Sequence, residues 1–559
     1  MHCAFIFIVT LIYGAASYHH HSNHDNEFIV STPLGSVKGA PLETVLGKKI
    51  YSFRGVRYAK PPINELRFQP PEPVESWTGI YDATEYGASC PQPEVNNTSE
   101  DCLFLNVYTT KLPDKKTNPN RPVLVFFHPG GYYSWGGQAF GPDYLLDQDV
   151  VLVTLNYRLA SLGFLSTGDK FAPGNNGLKD HVMALRWIKQ NIASFGGNPN
   201  LVTISGYSAG GSTTSLMLVS PMAKGLFHRA IIMSGSSFGN WPIRPHQFEL
   251  AQKQARFVNC PDTDSETIIK CLNTKSATEI GDTLYSFDEF AYDPIVQWLP
   301  VIEPDCGQER FLTDHPVKLL LRGEFERVPV ITTVTAEEFK YTAWNLLENA
   351  TWLKEMDENF EKVAPISFIY ERNTENSKHI SRELRKFYLG DDPLTEKSLP
   401  QIGKLYADGV IGFAVNRVAK LLAAKNSEPT YYYKLGYEGR FSFHYKENST
   451  EPEGNDRICV VHHDDLLYIF YISRFPRFNT TDPEYSTVRK FTTMLKNFAL
   501  VGKPIPHVDH YLDDTEWKPI TPGNNVYLDI GEKMVMRENL YEDRYSLWEN
   551  LFPLPKILN

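Results

Sequence analysis

A strand that must turn directly into a helix constrains this chain more than any other stretch. Leu201-Val202-Thr203-Ile204-Ser205 reads as a buried strand, and Ser212–Val219 is compatible with a helix. Between them stands Gly206-Tyr207-Ser208-Ala209-Gly210-Gly211, a G-x-S-x-G pattern. A turn this tight admits only small residues on either side of its central serine. It pushes the Ser208 hydroxyl into the open at a helix N-terminus, where backbone N–H groups and the helix dipole favour negative charge. Ser208 is therefore the first candidate functional residue, a nucleophile in search of a base.

The surrounding chain supplies the layers such a turn needs. Pro122–Phe127, Asp149–Tyr157, Ala230–Ser236, Pro329–Thr335 and Tyr431–Leu435 read as strands, with helical stretches between them, among them Val182–Phe195. Strands alternating with helices imply an α/β fold, a mostly parallel central sheet with helices on both faces. Phe28–Val37 opens the fold as a hairpin around Pro33-Leu34-Gly35, and Trp241–Leu321, irregular and helical, is expected to shape the substrate pocket. No Gly/Ser or Pro-rich spacer, charge run or repeat divides the 559 residues, so residues 28–555 are read as a single domain.

The N-terminus reads as a signal peptide over residues 1–17: Ala4–Tyr13 is a short apolar run followed by the small residues Gly14-Ala15-Ala16-Ser17. Residues 18–27 follow as a tail, whose His19-His20-His21 and His24 are read as solvated rather than metal-binding. Secretion is the expectation, with no membrane anchor, since no later segment reaches spanning length. Seven cysteines suit an oxidising compartment. Cys90 pairs with Cys102 and Cys260 with Cys271 by proximity in sequence, while Cys306 and Cys459 are left open. Asn96, Asn97, Asn349, Asn448 and Asn479 head N-x-S/T glycosylation sites. The net charge of −11 is diffuse, which argues against a nucleic-acid partner.

Two blocks carry a family resemblance. Ser99-Glu100-Asp101-Cys102-Leu103-Phe104-Leu105-Asn106-Val107-Tyr108 and Phe195-Gly196-Gly197-Asn198-Pro199-Asn200 leading to Ser208 look like the two signatures of the type-B carboxylesterases. That family is the carboxylesterase/cholinesterase branch of the α/β-hydrolases, and the likeness runs from about Phe28 to Pro555. His128-Pro129-Gly130-Gly131 and Gly206–Gly211 look most like secreted insect carboxylesterases. The resemblance implies an oxyanion hole from the N–H groups of Gly130, Gly131 and Ala209. Pro129 replaces a family glycine and lacks an N–H, but its position is not one of the donors. By the same resemblance Arg158 pairs with Asp180 and Arg67 with Glu100 as architecture, and Ser234 supports the histidine.

A serine hydroxyl needs a base within reach, and the base needs a third group to orient it. The family order Ser, acid, His implies Ser208, Glu338 and His462, with Cys459 standing where the family has glycine before that histidine. Glu337, Asp464 and Asp465 are rival acids; the two aspartates are expected instead to start a helix Leu466–Phe470. The implied activity is hydrolysis of a small carboxylic ester through an acyl-enzyme, with no metal or cofactor. The short Cys90–Cys102 loop has no tryptophan, and Tyr207 stands where cholinesterases have glutamate, so neutral esters are expected over choline esters. Juvenile hormone esterases usually carry G-Q-S-A-G, which Gly206–Gly210 does not match. The alternative is a non-catalytic adhesion or ligand-binding protein of the neuroligin or glutactin type. The oligomeric state is left open.

Overall fold

The computed structural model describes residues 27–444, apart from 242 and 245, and residues 460–554. The expected signal peptide, Cys459 and Asn448 lie outside the described residues, as does most of the tail. The strands in chain order are β1 (Ile29–Thr32), β2 (Gly35–Lys38), β3 (Ala40–Glu43), β4 (Lys49–Arg57), β5 (Ile80–Asp82), β6 (Phe104–Thr109), β7 (Arg121–Phe127), β8 (Val151–Leu155), β9 (Gly197–Tyr207), β10 (Arg229–Met233), β11 (Val330–Thr335), β12 (Thr430–Leu435), β13 (Val526–Ile530) and β14 (Met534–Glu538). An 11-stranded sheet runs in the order β14-β13-β12-β11-β10-β9-β7-β8-β6-β4-β3. From β8 to β13 every neighbouring pair is parallel, while β3, β4, β6 and β14 join antiparallel at the flanks. The opening hairpin β1–β2 belongs to a separate small sheet with β5.

The near-continuous apolar runs follow from burial on both faces. Val123, Val125 and Phe127 of β7 enter one core, and Leu124 and Phe126 enter the core on the opposite face. On the first face lies the helix Asn176–Asn191, through Leu178, Val182, Leu185 and Ile188. On the second lies Tyr485–Val501, through Val488, Phe491, Met494 and Phe498. Each such apolar side chain contributes roughly 1.5–3 kcal/mol when fully buried.

The helix expected to begin at Val182 begins six residues earlier. Its first turns carry Asn176, Lys179 and Asp180, which apolar periodicity misses because they are buried as polar groups. Lys179 meets Glu303 at 2.6 Å. Arg158 donates from Nε and Nη2 to the Asp180 carboxylate at 2.9 and 2.7 Å, and from Nη1 to the Gln69 carbonyl at 2.7 Å. Arg67 grips Glu100 through Nε and Nη2 at 2.5 and 2.7 Å. Both family-implied pairs form, and stripping one partner from the fully buried Arg158–Asp180 pair should cost about 3–5 kcal/mol.

Cys90–Cys102 and Cys260–Cys271 are disulfides, and Cys306 is a free, exposed thiol. Asn96, Asn97 and Asn479 are exposed. Asn349 is half-buried and caps the helix Ala350–Glu358, its Oδ1 accepting from the Thr351 and Trp352 N–H groups. Among the described residues no helix is long and apolar enough to cross a membrane.

Candidate active site

β9 delivers Ser208 to the C-terminal edge of the parallel strands, and the helix Ala209–Met217 leaves directly from it. Ser208 has φ 56° and ψ −117°, a backbone conformation non-glycine residues rarely adopt. Two glycines make it possible. A Cβ on Gly206 would lie 2.1 Å from the Gly210 carbonyl oxygen, and one on Gly210 would lie 2.0 Å from that of Phe127. The elbow is therefore wedged against the end of β7. The Ser208 N–H is held by the Met233 carbonyl at 2.9 Å, and the residue stays partly exposed.

β11 ends at Thr335, and the turn after it separates the two neighbouring glutamates. Glu338 is 2% exposed: Oε1 accepts the Thr335 N–H at 2.8 Å, and Oε2 stands 2.5 Å from His462 Nδ1. Glu337 leans outward toward Lys340, 3.8 Å away. A carboxylate only accepts, so the His462 proton sits on Nδ1 and Nε2 carries the lone pair. That nitrogen is buried and has no hydrogen-bond partner among the described residues. The His462 ring is packed by Phe339 at 4.4 Å and by Tyr207, the residue before Ser208, at 5.0 Å. Glu338 and His462, 124 residues apart in sequence, are thus brought together, and the Tyr207 ring places His462 beside the residue that precedes Ser208.

Gly130 and Gly131 form the turn after β7 with φ 109° and 59°, backbone that favours glycine. Their N–H groups have no protein acceptor among the described residues, whereas the Gly130 carbonyl accepts from Tyr133 and Ser134 at 2.8 and 2.9 Å. Ala209 is the first residue of its helix, where an N–H has no intrahelical acceptor. Pro129 has a use of its own: its carbonyl accepts from His128 Nδ1 at 2.7 Å. Burial holds the His128 imidazole down at about 4, so this histidine is neutral and structural.

Three expectations change. Ser234 Oγ is fully buried and makes no hydrogen bond to Glu338 or His462 among the described residues; its neighbour is the Tyr207 phenol. Asp464 and Asp465 do start a helix, but it is a 3-10 helix, Asp464–Tyr468, two residues earlier than Leu466–Phe470. Their carboxylates turn to other partners: Asp464 accepts from the Val461 and Phe443 N–H groups and the Ser442 hydroxyl, and Asp465 from the Tyr433 hydroxyl. The Trp241–Leu321 segment helps to line a cleft of about 470 Å³, through Leu250, Val296 and Leu299, but Ser208, Glu338 and His462 do not line it.

The sequence reading also missed Trp135. Its backbone N–H donates to Gln92 Oε1 inside the Cys90–Cys102 loop at 2.8 Å, and its ring stacks on His463 at 5.6 Å. Nothing in the spacing of Trp135 signals this.

Residues 26–548 match the carboxylesterase family. The chain belongs to that family. Esterase FE4 of Myzus persicae is 36% identical over 508 residues, covering 88% of this chain and 86% of that one. Juvenile hormone esterase of Tribolium castaneum is 34% identical over 499 residues, covering 86% and 84%. A crystal structure of juvenile hormone esterase from Manduca sexta, with OTFP covalently attached, superposes with a TM-score of 0.81 at 27% identity, covering 94% of this chain and 99% of that one. The fold is that of the α/β-hydrolases, and this carboxylesterase-family chain is a carboxylic-ester hydrolase. A non-catalytic adhesion role is set aside.

Proposed function

We propose that the protein is a secreted serine esterase acting on neutral esters through an acyl-enzyme on Ser208, with residues 28–555 as one catalytic unit. The contact between Glu338 Oε2 and His462 Nδ1 carries the reading, because it leaves the Nε2 lone pair free to act as base. His462 takes the Ser208 proton as Oγ attacks the ester carbonyl, and Glu338 stabilises the imidazolium. The N–H groups of Gly130, Gly131 and Ala209 receive the oxyanion, each such donor contributing about 3–4 kcal/mol to transition-state stabilisation. His462 then returns the proton to the departing alkoxide. Water attacks the acyl carbonyl with the same base, and the carboxylic acid leaves as Ser208 is restored. The N-terminal apolar run and two disulfides support secretion.

An organophosphonate probe tests the nucleophile directly. It should label the native protein with one equivalent on the peptide holding Ser208, and a label elsewhere, or none, would sink the assignment. Selectivity is a separate expectation. Tyr207 is fully buried, with its hydroxyl accepting from the His463 N–H at 2.9 Å, so position 207 offers a quaternary ammonium no anion. Comparison of kcat/KM for a butyrate ester of a neutral alcohol and for butyrylcholine should favour the neutral ester. A preference for choline would instead assign Trp135 as a cation–π partner.

A further inference from the structure

Asp465 is a buried carboxyl that the chemistry above does not use. It is 0% exposed and lies three residues after His462 in the short helix Asp464–Tyr468. Tyr433, on β12, donates its hydroxyl to Asp465 Oδ2 at 3.0 Å, while Oδ1 has no hydrogen-bond partner among the described residues. The groups that face it are Glu338 after β11, Tyr207 at the end of β9, Tyr433, and Asp464 on its own turn. None is a lysine or arginine. A buried carboxylate that meets no cation among the described residues costs several kcal/mol to charge, so the site favours the acid form. Burial first, and then the nearby Glu338 charge, push the carboxyl up to about 7, against the opposing pull of the two phenols.

Tyr207 links this carboxyl to the base. Its hydroxyl oxygen accepts the His463 N–H at 2.9 Å, which fixes the backbone immediately after His462, and its ring lies 5.0 Å from the His462 ring. A phenol that accepts one hydrogen bond still has its own proton to give, and the Asp465 carboxyl and the Ser234 hydroxyl are side chains that interact with it.

We propose that Asp465, carried as a neutral carboxylic acid, is a positioning residue that acts through Tyr207 as a second hold on His462, independent of Glu338. The proposal rests on His462 being the base. A neutral acid orients the phenols without placing a second negative charge beside the Glu338–His462 pair. Asparagine copies its shape, its acceptor and its donor; leucine copies only its bulk.

The test uses Asp465→Leu, Asp465→Asn, Tyr207→Phe and the double variant Tyr207→Phe/Asp465→Leu. Asp465→Leu and Tyr207→Phe should each lower kcat about 10- to 100-fold with KM little changed, because lost orientation falls on the chemical step. Asp465→Asn should recover most of that loss at pH 6, and the double variant should be no worse than the poorer single one, as for residues acting in one chain. Asparagine failing as badly as leucine would overturn the neutral acid, and additive losses would overturn the route through Tyr207. Melting curves read the same proton without any turnover. A carboxyl at about 7 when folded and about 3.9 when unfolded makes the folded state bind more protons between those values. Stability from this group is therefore present at low pH and lost as pH rises toward 7. Asparagine cannot titrate, so the Tm of Asp465→Asn minus that of wild type should grow from pH 5 to pH 8, and a flat difference would overturn the protonated state. Because that measurement stands whether or not the base is His462, failure of the catalytic reading and failure of this one are distinguishable.

Discussion

Ser208→Ala should leave a folded protein that no longer turns over p-nitrophenyl butyrate, with kcat down by about 10⁶-fold, the loss seen when a triad serine is removed elsewhere. The fold should persist because the backbone, not the hydroxyl, holds the elbow. The Ser208 N–H is bound by the Met233 carbonyl, and the turn is set by the close approach of Gly206 to Gly210 and of Gly210 to Phe127. Alanine is smaller than serine and adds nothing to that contact. Circular dichroism and Tm should match wild type, and binding of an uncleavable ester analogue should survive. A variant that kept wild-type turnover would move the nucleophile away from Ser208.

Glu338→Gln should cut kcat by about 10⁴-fold, the scale reported for the loss of a triad acid that holds the histidine tautomer. Glutamine can keep the Thr335 N–H bond through its carbonyl oxygen, but it then presents an amide donor to His462 Nδ1. The imidazole answers by moving its proton to Nε2, which removes the lone pair that serves Ser208. The loss should therefore fall on kcat and remain across the accessible pH range. Glu337→Gln touches a long, partly exposed contact to Lys340 and should stay close to wild type. Asp464→Asn should lower Tm, since Asp464 binds two backbone N–H groups and the Ser442 hydroxyl, while kcat of the folded enzyme changes far less. A near-normal Glu338→Gln beside a dead Glu337→Gln or Asp464→Asn would reassign the acid.

The sequence carried the elbow, the strand–helix alternation and the two disulfides, because each is written in neighbouring residues. A strand buried on both faces shows as an apolar run, as in Val123–Phe127, and Gly206–Gly211 spells a turn that only small residues can make. The choice of Glu338 over Glu337 was legible only through the resemblance of the surrounding motif. In the chain the two glutamates are equivalent neighbours, and the turn after β11 is what buries one against His462 and leaves the other beside Lys340. Tertiary packing alone decided what the polar residues do. The start of Asn176–Asn191 was hidden because Lys179 and Asp180 are buried with partners more than twenty residues away in Glu303 and Arg158. The late helix Tyr485–Val501 and the strands β13 and β14 went unread. The last of these is a largely exposed edge strand with no apolar alternation to reveal it. Asp465 starts a short helix, as local rules favour, yet the groups it interacts with, Tyr207 of β9, Tyr433 of β12 and Glu338 after β11, come from distant parts of the chain. Sequence determines which side chains are chemically able, through local geometry and order along the chain. Which carboxyl faces the imidazole, and which one is kept from water and holds a proton, is set by desolvation and by partners that only the folded chain brings together.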